Sequence, residues 1–445
     1  MATVTVEENS RFGLLPSDVI GLSYEARLLS DAISFNIHDG NLAELYRLLG
    51  TGNIRLGGNS VDRKTFWRSG DSSGAPPAWA TAAVTPSDID RLAEFVHKTG
   101  WRVELAVGLG HLDPSAIADE ARYAAGALGN QLAVLECGNE PNDFVKDLRA
   151  ANYGVAQYQS DFAACADAIG TTAPLAGPNT TGAYIPELKD IGGRLSMITQ
   201  HAYTLNRCRG DAGSAEDLLS VAADQELEKI ATTLAVADEL GIPLRLDESN
   251  SANCSGLPGV SDTYAAALWA VDYVLLMASH GVSGVNFHGS LGPCDSVSYS
   301  PVCADSQVSL RHGQFTVRPL FYGILFAHMM GTGVFERTSV ASGRNLTAYA
   351  VRRDDGRTRV MLISKDSPAG PGIELTLHRG NADGIAELLY LRAPALNSTQ
   401  NVTLQGSSIG PGGAFRLGAA DRVTGKAGTY TFHLPAGAAA MVVLP

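Results

Sequence analysis

The chain has 445 residues, of which 45% are hydrophobic and 18% charged, a composition typical of globular proteins with a large core. This length predicts one large domain and a smaller one. The formal net charge is -13 and the sequence pI about 5.2, which argues against nucleic acid as a partner because phosphate binding needs clustered Lys and Arg. A polyanionic sugar is not excluded, since a local basic groove can exist on an acidic protein.

The chain shows no membrane-spanning or secretory pattern. No apolar run reaches the ~20 residues that a spanning helix needs, so we expect no membrane partner. Residues 1–6 already alternate like a β-strand, so the protein either stays inside the cell or begins after a removed signal.

The six cysteines bear on both metal binding and compartment. They stand at positions 137, 165, 208, 254, 294 and 303, without a C-x-x-C motif or clustered His, which argues against a zinc site. Cys294 and Cys303 bracket a short loop and could form a local disulfide. The even count favours a secreted or periplasmic protein, and free buried thiols are the alternative.

From residue 16 to residue 330 the chain repeats a short apolar run, a turn and a helical pattern. The candidate strands are 19–25, 53–58, 102–109, 131–140, 173–179, 197–203, 243–249 and 281–289. Helices are predicted after Thr85-Pro86-Ser87-Asp88, after Asp113-Pro114, over 222–240 and over 260–280. Eight apolar strands alternating with helices predict an α/β fold, a (β/α)8 TIM barrel whose parallel strands are buried on both faces.

The pattern changes after residue 330. Alternating or β-branched segments follow at 345–352, 358–364, 373–377, 386–391, 428–434 and 439–444. They predict an additional all-β sandwich domain. The opening strand at 2–7 has no place in the barrel, so we expect it to pair with this sheet. The second domain would then comprise 1–15 plus 331–445, and the barrel 16–330.

Polar side chains stand at the C-terminal ends of most predicted barrel strands. They are Glu25, Asn59, Asn139, Glu140, Asn179, His201, Tyr203, Glu248 and His288. One such residue could simply end a strand, but acidic or aromatic groups at most of the eight ends are harder to dismiss. Barrel enzymes place their chemistry at this face, so the pattern predicts a catalytic face.

Two carboxylates of this set fit retaining glycoside hydrolysis. That reaction needs two carboxyl groups about 5–5.5 Å apart, one protonating the leaving oxygen and one attacking the anomeric carbon. Glu140 ends strand 4 and Glu248 ends strand 7, which face each other across a barrel mouth, and Asp247 is a rival to Glu248. We interpret Glu140 as the acid/base. Asn139 could donate to the sugar 2-hydroxyl, and Pro141 is expected to restrict Glu140 to extended backbone angles.

Longer strings around these positions resemble the heparanase and β-glucuronidase family (glycoside hydrolase family 79), as in a bacterial heparanase-like member. The matching strings are Gly21-Leu22-Ser23-Tyr24-Glu25, Arg55-Leu56-Gly57-Gly58-Asn59, Gly138-Asn139-Glu140-Pro141-Asn142, His201-Ala202-Tyr203-Thr204-Leu205-Asn206, Glu248-Ser249-Asn250-Ser251-Ala252 and Ser261-Asp262-Thr263-Tyr264-Ala265-Ala266. The resemblance covers the whole barrel in order. The family's second domain, a β-sandwich that uses both termini, agrees with the domain prediction.

The resemblance implies a role for each matching residue. Glu140 would be the acid/base and Glu248 the nucleophile. Glu25, Asn59 and Asn139 would hydrogen-bond the hydroxyls of the sugar in the −1 subsite. The string that contains His201 and Tyr203 would also bind substrate, with Tyr203 beneath the ring or near the nucleophile.

The same resemblance implies how a uronate carboxylate is held, namely by tyrosine hydroxyls and backbone N–H groups rather than by Arg. Tyr203, Tyr299 and the backbone around Cys254-Ser255 are the candidates. The family carries consecutive glycines after the nucleophile, where this chain has Asn253-Cys254-Ser255-Gly256. Backbone donors survive that change, but the shape of the loop is put in doubt.

The implied activity is hydrolysis of β-D-glucuronic acid linkages in a uronic-acid-containing polysaccharide or oligosaccharide, without a metal or organic cofactor. The short segment 66–75 after strand 2 favours an open cleft and an endo-enzyme acting on heparan-sulfate-like chains. Basic residues that could meet sulfates are Arg27, Arg63, Lys64, Arg68, Arg207, Arg209 and Arg311, although each could be ordinary surface charge. An exo-enzyme releasing terminal glucuronate is the first alternative. An arabinofuranosidase or xylosidase type of retaining glycosidase and a non-catalytic carbohydrate-binding protein are the others.

Overall fold

The structure is a computed structural model that describes residues 1–70, 74–210, 213–381 and 383–445. Part of the predicted cleft segment 66–75 therefore lies outside the described residues. In the described ranges, eight parallel strands close into a barrel: Ile20–Glu25, Asn53–Gly57, Arg102–Val107, Leu132–Cys137, Leu175–Thr180, Met197–Leu205, Leu244–Ala252 and Val282–His288. We number these strands 1 to 8. Each of the eight predicted strands is confirmed, and so is the TIM-barrel fold class.

Helices cover the barrel strands on the outside. The α-helices are Leu42–Leu49, Ser60–Arg63, Pro86–Thr99, Pro114–Leu128, Val155–Ile169, Ala215–Ser220, Ala223–Glu228, Ala231–Leu240, Tyr264–Ser279, Gln307–Arg311 and Pro319–His328. Thr85 and Asp88 form a capping box, and Asp113 caps the next helix, as the sequence predicts. Across the described residues, no helix is both long and apolar enough to span a membrane.

The predicted single helix over 222–240 is wrong, because two helices meet there. Ala223–Glu228 ends at Lys229, and Ala231–Leu240 begins after the buried residue Ile230. The Lys229 ammonium group donates hydrogen bonds to the carbonyl oxygens of Tyr203 and Thr204, at 3.1 and 3.0 Å. This contact with the end of strand 6 fixes the chain at the break, and the helical pattern of the sequence does not reveal it.

The second domain is a β-sheet that encloses its own apolar core. Its strands are Ala2–Leu15, Gly333–Ala341, Leu346–Arg352, Thr358–Ser364, Ile373–Arg379, Gly384–Arg392, Thr403–Leu404, Asp421–Gly425, Thr429–Leu434 and Ala439–Leu444. Where the structure describes them, they join one hydrogen-bonded sheet, so the predicted all-β domain is confirmed. The opening strand pairs antiparallel with Gly333–Ala341 and parallel with Ile373–Arg379, as expected. The domain boundaries at 15/16 and 330/331 stay predictions.

All six cysteines lie in the described ranges and are paired. The bridges are Cys137–Cys165, Cys208–Cys254 and Cys294–Cys303. The local bridge suggested by the spacing of Cys294 and Cys303 is confirmed, and the alternative of free thiols is wrong. Two of the bridges tie loops at the C-terminal face of the barrel, where the polar strand ends meet.

Candidate active site

The two carboxylates singled out by the sequence meet at the mouth of the barrel, where both lie near the Nδ1 atom of His201. The Nδ1 atom of His201 lies 3.1 Å from Oε1 of Glu140 and 3.9 Å from Oε1 of Glu248. These distances limit the separation of the two oxygens to about 7 Å at most, which accommodates the ~5–5.5 Å between carboxyl groups of retaining glycosidases.

The backbone at Glu140 is not extended, so that prediction is wrong. Glu140 has φ 47° and ψ 57°, in the left-handed region that residues other than glycine rarely adopt. Its N–H group donates a 2.9 Å hydrogen bond to the carbonyl oxygen of Asn179, and Pro141 begins a short 3-10 helix. The neighbouring strand thus determines the backbone angles, and the preference imposed by the following proline is overridden.

Glu248 is held at both of its oxygens. Arg55 donates to Oε2 at 2.7 Å, and the hydroxyl group of Tyr203 donates to Oε1 at 2.9 Å. Burial raises the pKa of this carboxyl group, but its neighbours His288, His201 and Arg55 outweigh burial and hold the pKa well below its ordinary value. Glu248 is therefore ionised at neutral pH.

Asp247, the rival carboxylate, has a different environment. It is fully buried beneath the mouth, 3.3 Å from Nε of Arg55 and 3.4 Å from Nε2 of His201. The Glu248 side chain keeps 12% of its surface exposed. Of the two, Glu248 is the carboxylate that a ligand in the mouth can contact.

His201 carries positive charge into the same cluster. Burial lowers its pKa, but the carboxylates of Glu248 and Asp247 outweigh burial and raise the pKa to about 10. A protonated His201 donates through both ring nitrogens, so it can bond Glu140 on one side and face Asp247 on the other. It acts here as a bridge between strands 4 and 7.

Asn139 is oriented by a buried network. Its Oδ1 atom accepts a 2.8 Å hydrogen bond from Arg55, which leaves the NH2 group of the amide as the donor for a ligand. Its backbone N–H donates to Asp62 at 2.8 Å, and Asp62 also accepts from the N–H groups of Leu109 and Gly110. Burial raises the pKa of Asp62 to about 6 despite these bonds.

Glu25 and Asn59 lie at the ends of strands 1 and 2. Oε2 of Glu25 accepts a 2.7 Å hydrogen bond from the N–H of Ser60, so the carboxylate is oriented by the backbone. A side chain at Gly58 would collide with it, because a Cβ atom there would lie 2.8 Å from the Glu25 carboxyl carbon. Asn59 is exposed, and its Oδ1 accepts from Arg63 at 3.2 Å.

The predicted uronate-binding residues form one group beside Glu248. The rings of Tyr203 and Tyr299 lie 6.3 Å apart, and the N–H of Ser298, next to Tyr299, donates a 2.9 Å hydrogen bond to the carbonyl oxygen of Ser255. Cys254, Ser255 and Gly256 have φ angles of 52°, 69° and 79°. Three consecutive positive φ angles explain why glycines suit this loop, and successive N–H groups in such a turn can form a concave anion site.

This loop keeps its conformation without the consecutive glycines because it is tied from outside. The Cys208–Cys254 disulfide joins it to the loop after strand 6. Arg207 donates to the carbonyl oxygens of Cys254 and Gly256. Arg63 is likewise engaged, by Asp147 at 2.8 Å. Arg207 and Arg63 therefore support the protein itself, which weakens the reading of them as sulfate contacts.

Sequence reasoning missed two groups of this site, and it placed His288 at a strand end without giving it a role. Arg55 lies under the mouth and contacts carboxylates from strands 4 and 7, and Asp62 orients Asn139. His288 lies 3.8 Å from Glu248. The sequence carried one signal for Arg55, namely an arginine inside a strand predicted to be buried on both faces. A fully buried charge must be paired, so this arginine indicated acidic partners.

Sequence comparisons with known proteins find only partial matches to this chain. No protein-family model matches the chain. A β-glucuronidase of Neurospora crassa is 28% identical over 143 residues, which cover 29% of this chain and 24% of that protein. One of Aspergillus niger is 39% identical over 62 residues, which cover 14% of this chain and 11% of that protein. The matches thus span a quarter or less of these relatives.

Solved structures match over almost the whole chain. A 4-O-α-L-rhamnosyl-β-D-glucuronidase from Fusarium oxysporum has a TM-score of 0.80 at 21% identity, covering 99% of this chain and 100% of that chain. A GH51 arabinofuranosidase from Xanthomonas axonopodis has a TM-score of 0.72 at 15% identity, covering 100% and 99%. At these identities the likeness establishes the fold, that of TIM-barrel glycoside hydrolases with an additional β domain.

Proposed function

We propose that the protein is a retaining β-glucuronidase. The observation that carries this proposal is the tyrosine pair Tyr203 and Tyr299 beside the ionised carboxylate of Glu248. The left-handed loop at Cys254-Ser255 is joined to the segment before Tyr299, because the N–H of Ser298 donates to the carbonyl oxygen of Ser255 at 2.9 Å. Hydroxyl and backbone N–H donors suit a ligand carboxylate next to the nucleophile. The short matches to two β-glucuronidases point the same way.

The mechanism assigns one step to each carboxylate. Ionised Glu248 attacks the anomeric carbon, while Glu140 gives its proton to the departing oxygen, and a glycosyl ester of Glu248 forms. Glu140 then removes a proton from the incoming water, which releases the sugar with retained configuration. Asn139 donates its amide hydrogen to the 2-hydroxyl, and Glu25 and Asn59 bind hydroxyls further around the ring.

A panel of 4-nitrophenyl glycosides tests the substrate class. The β-D-glucuronide should be hydrolysed with at least a hundredfold preference over the β-D-glucoside, which has a hydroxymethyl group in place of the carboxylate, because the Tyr299 hydroxyl group and the loop N–H groups would then have no carboxylate to bind. The α-L-arabinofuranoside and β-D-xyloside represent the neutral alternatives. Faster hydrolysis of any neutral glycoside would contradict the proposal, and NMR of the first-formed anomer tests retention.

Cleavage inside heparan-sulfate-like chains (endo action) remains a prediction from the sequence. Release of terminal glucuronate (exo action) is its alternative. Two of the basic residues considered for sulfate contact, Arg63 and Arg207, are bound within the protein. Digestion of heparan sulfate, with the products sized by chromatography, decides between the two modes. Shortened oligosaccharides indicate endo action, and free glucuronate indicates exo action.

We also propose that the protein works outside the cytoplasm, in a secreted or periplasmic setting. Support comes from the pairing of all six cysteines, since disulfides persist in oxidising compartments. Fractionation of the producing cells, followed by thiol labelling of the isolated protein, tests this. Recovery in the cytosol with six reactive thiols after denaturation would contradict it.

A further inference from the structure

A second cavity lies beside the carboxylate site, between the loops after strands 1 to 3 and the helix Pro114–Leu128. Its volume is about 230 Å³. A cavity of about 150 Å³ is enough for benzene, so this one can hold a single ring with substituents. The proposed catalytic mechanism does not involve this cavity.

An unpartnered buried carboxyl group lines this cavity. Glu120 is 9% exposed, and among the described residues no hydrogen bond or ion pair reaches its carboxyl group. Burial, with a smaller contribution from Asp119, raises the pKa of Glu120 to about 8. The group is therefore largely protonated at neutral pH, when it can both donate and accept a hydrogen bond. Among the described residues nothing satisfies this carboxyl group, and its oxygen atoms are open to the cavity, where a ligand can bond them.

The other acidic groups on the wall are already used by the protein. Asp62 accepts three backbone N–H groups, and Asp113 accepts those of Ser115 and Ala116 at the start of the helix. Burial lowers the pKa of His111, and Arg149 lowers it further, so the imidazole is neutral at pH 7. None of the described lining residues is Lys or Arg. The described lining therefore offers no cationic side chain to a sulfated or uronic ring.

Aromatic and aliphatic surfaces form the rest of the wall. Trp79 stacks on His111 with ring centroids 3.9 Å apart and an interplanar angle of 9°. Trp67 is fixed by a 2.8 Å hydrogen bond from its indole N–H to Asp119. Val61, Val84, Ile117 and Leu29 complete the apolar lining. Rigid indole faces suit the C–H-bearing face of a pyranose, whose hydroxyl groups need partners such as the free carboxyl group.

We propose that this cavity is a subsite for one neutral sugar ring of the substrate, adjacent to the glucuronate that is cleaved. Trp67 and Trp79 pack on the ring, and Glu120 hydrogen-bonds one of its hydroxyls. The cavity and the catalytic mouth share Asp62, which lines the cavity and binds the N–H of Asn139. This inference rests on the proposed function, because it takes the cleaved sugar to be a glucuronate. It adds that the sugar next to that glucuronate is uncharged.

Saturation-transfer NMR with simple glycosides tests the subsite directly. The probes are the methyl glycosides of L-rhamnose, D-galactose and D-xylose, and, as the charged comparison, N-sulfoglucosamine. At least one neutral glycoside should bind the wild-type protein saturably and more tightly than the sulfated sugar. The variants Trp79→Ala and Glu120→Ala should each weaken that binding at least fivefold, because alanine removes the packing surface in one case and the hydrogen-bonding group in the other. Glu228→Ala, which changes an exposed glutamate, is the matched control and should bind as wild type does.

Binding of no neutral glycoside, binding that Trp79→Ala leaves intact, or tighter binding of the sulfated sugar would each overturn the subsite. Hydrolysis of 4-nitrophenyl β-D-glucuronide by the wild-type protein tests the proposed function separately. If that hydrolysis is seen and the neutral glycosides fail to bind, only the subsite is lost. If the glycosides bind as expected and no glucuronide is cleaved, the catalytic proposal is lost and the neutral-sugar site stands.

Discussion

The hydroxyl group of Tyr203 donates a 2.9 Å hydrogen bond to Oε1 of Glu248, while Arg55 bonds the other oxygen at 2.7 Å. Each oxygen of the proposed nucleophile therefore has its own donor, one neutral and one charged. The arrangement fixes the carboxylate plane and stabilises its ionised form. It also means that the two donors can be removed separately.

Removing the hydroxyl group with Tyr203→Phe should lower kcat/KM on 4-nitrophenyl β-D-glucuronide by about 10- to 100-fold. A hydrogen bond to a charged group is worth about 1.5–3 kcal/mol, and each 1.4 kcal/mol is tenfold in rate. Tyr349→Phe is the matched control, because Tyr349 also donates to a carboxylate, that of Asp272 in the interface with the β domain, at 2.7 Å. Equal effects of the two substitutions on activity would show that the bond to Glu248 has no catalytic role.

Replacing the acid/base with Glu140→Gln should separate substrates by their leaving groups. General acid catalysis contributes about 10²–10⁴-fold, so hydrolysis of an alkyl or sugar glucuronide should fall by that range. An aryl glucuronide with an acidic phenol needs little protonation and should keep more of its first-step rate. Glu239→Gln, at an exposed pair with Lys189, serves as the control. Wild-type activity of Glu140→Gln on a polysaccharide substrate would refute the assignment.

The substitution Arg55→Met should destabilise the barrel strongly. Arg55 is fully buried and pairs with Glu136 at 3.1 Å, Asp247 at 3.3 Å and Glu248 at 2.7 Å, so its loss leaves buried carboxylates without a cation. Breaking a buried ion pair costs about 3–5 kcal/mol.

The matched control for Arg55→Met is Arg63→Met. Its partner Asp147 is half exposed, and surface pairs contribute about 0–1 kcal/mol. Denaturant unfolding of the two variants beside wild type measures the difference. A similar free energy of unfolding for both variants would mean that the buried network is not needed for stability.

Much of the barrel could be predicted from the sequence because its signals are local. Apolar strands bounded by turns gave all eight barrel strands, and the strand ends located Glu140 and Glu248. The helix break at Lys229 and the left-handed backbone at Glu140 could not be predicted, because contacts with other strands determine both. Arg55 was missed for a similar reason, since its role depends on residues from strands 4 and 7 that only the closed barrel brings together.

The pairing of the cysteines shows the same limit. Only Cys294 and Cys303 are near enough in sequence to suggest a bridge, and that bridge is present. The partner of Cys254 is Cys208, on the loop after a different strand, so no spacing rule identifies it. The loop at Cys254-Ser255, which has no run of consecutive glycines, is held by this non-local bridge, which the sequence could not show.

The substitution Glu120→Gln should change how stability depends on pH. Burial raises the pKa of Glu120 from 4.5 to about 8, so the folded protein binds this proton more tightly than the unfolded chain does. The stability it contributes is fully present below pH 4.5 and is lost as the pH rises through 8. Glutamine keeps the shape and does not titrate, so the Tm of the variant relative to wild type should increase by a few degrees or more between pH 5 and pH 8. Thermal unfolding at both pH values measures this, with the exposed Glu228→Gln as control. An unchanged difference would mean that the Glu120 carboxyl group has an ordinary pKa and is not buried in the cavity wall.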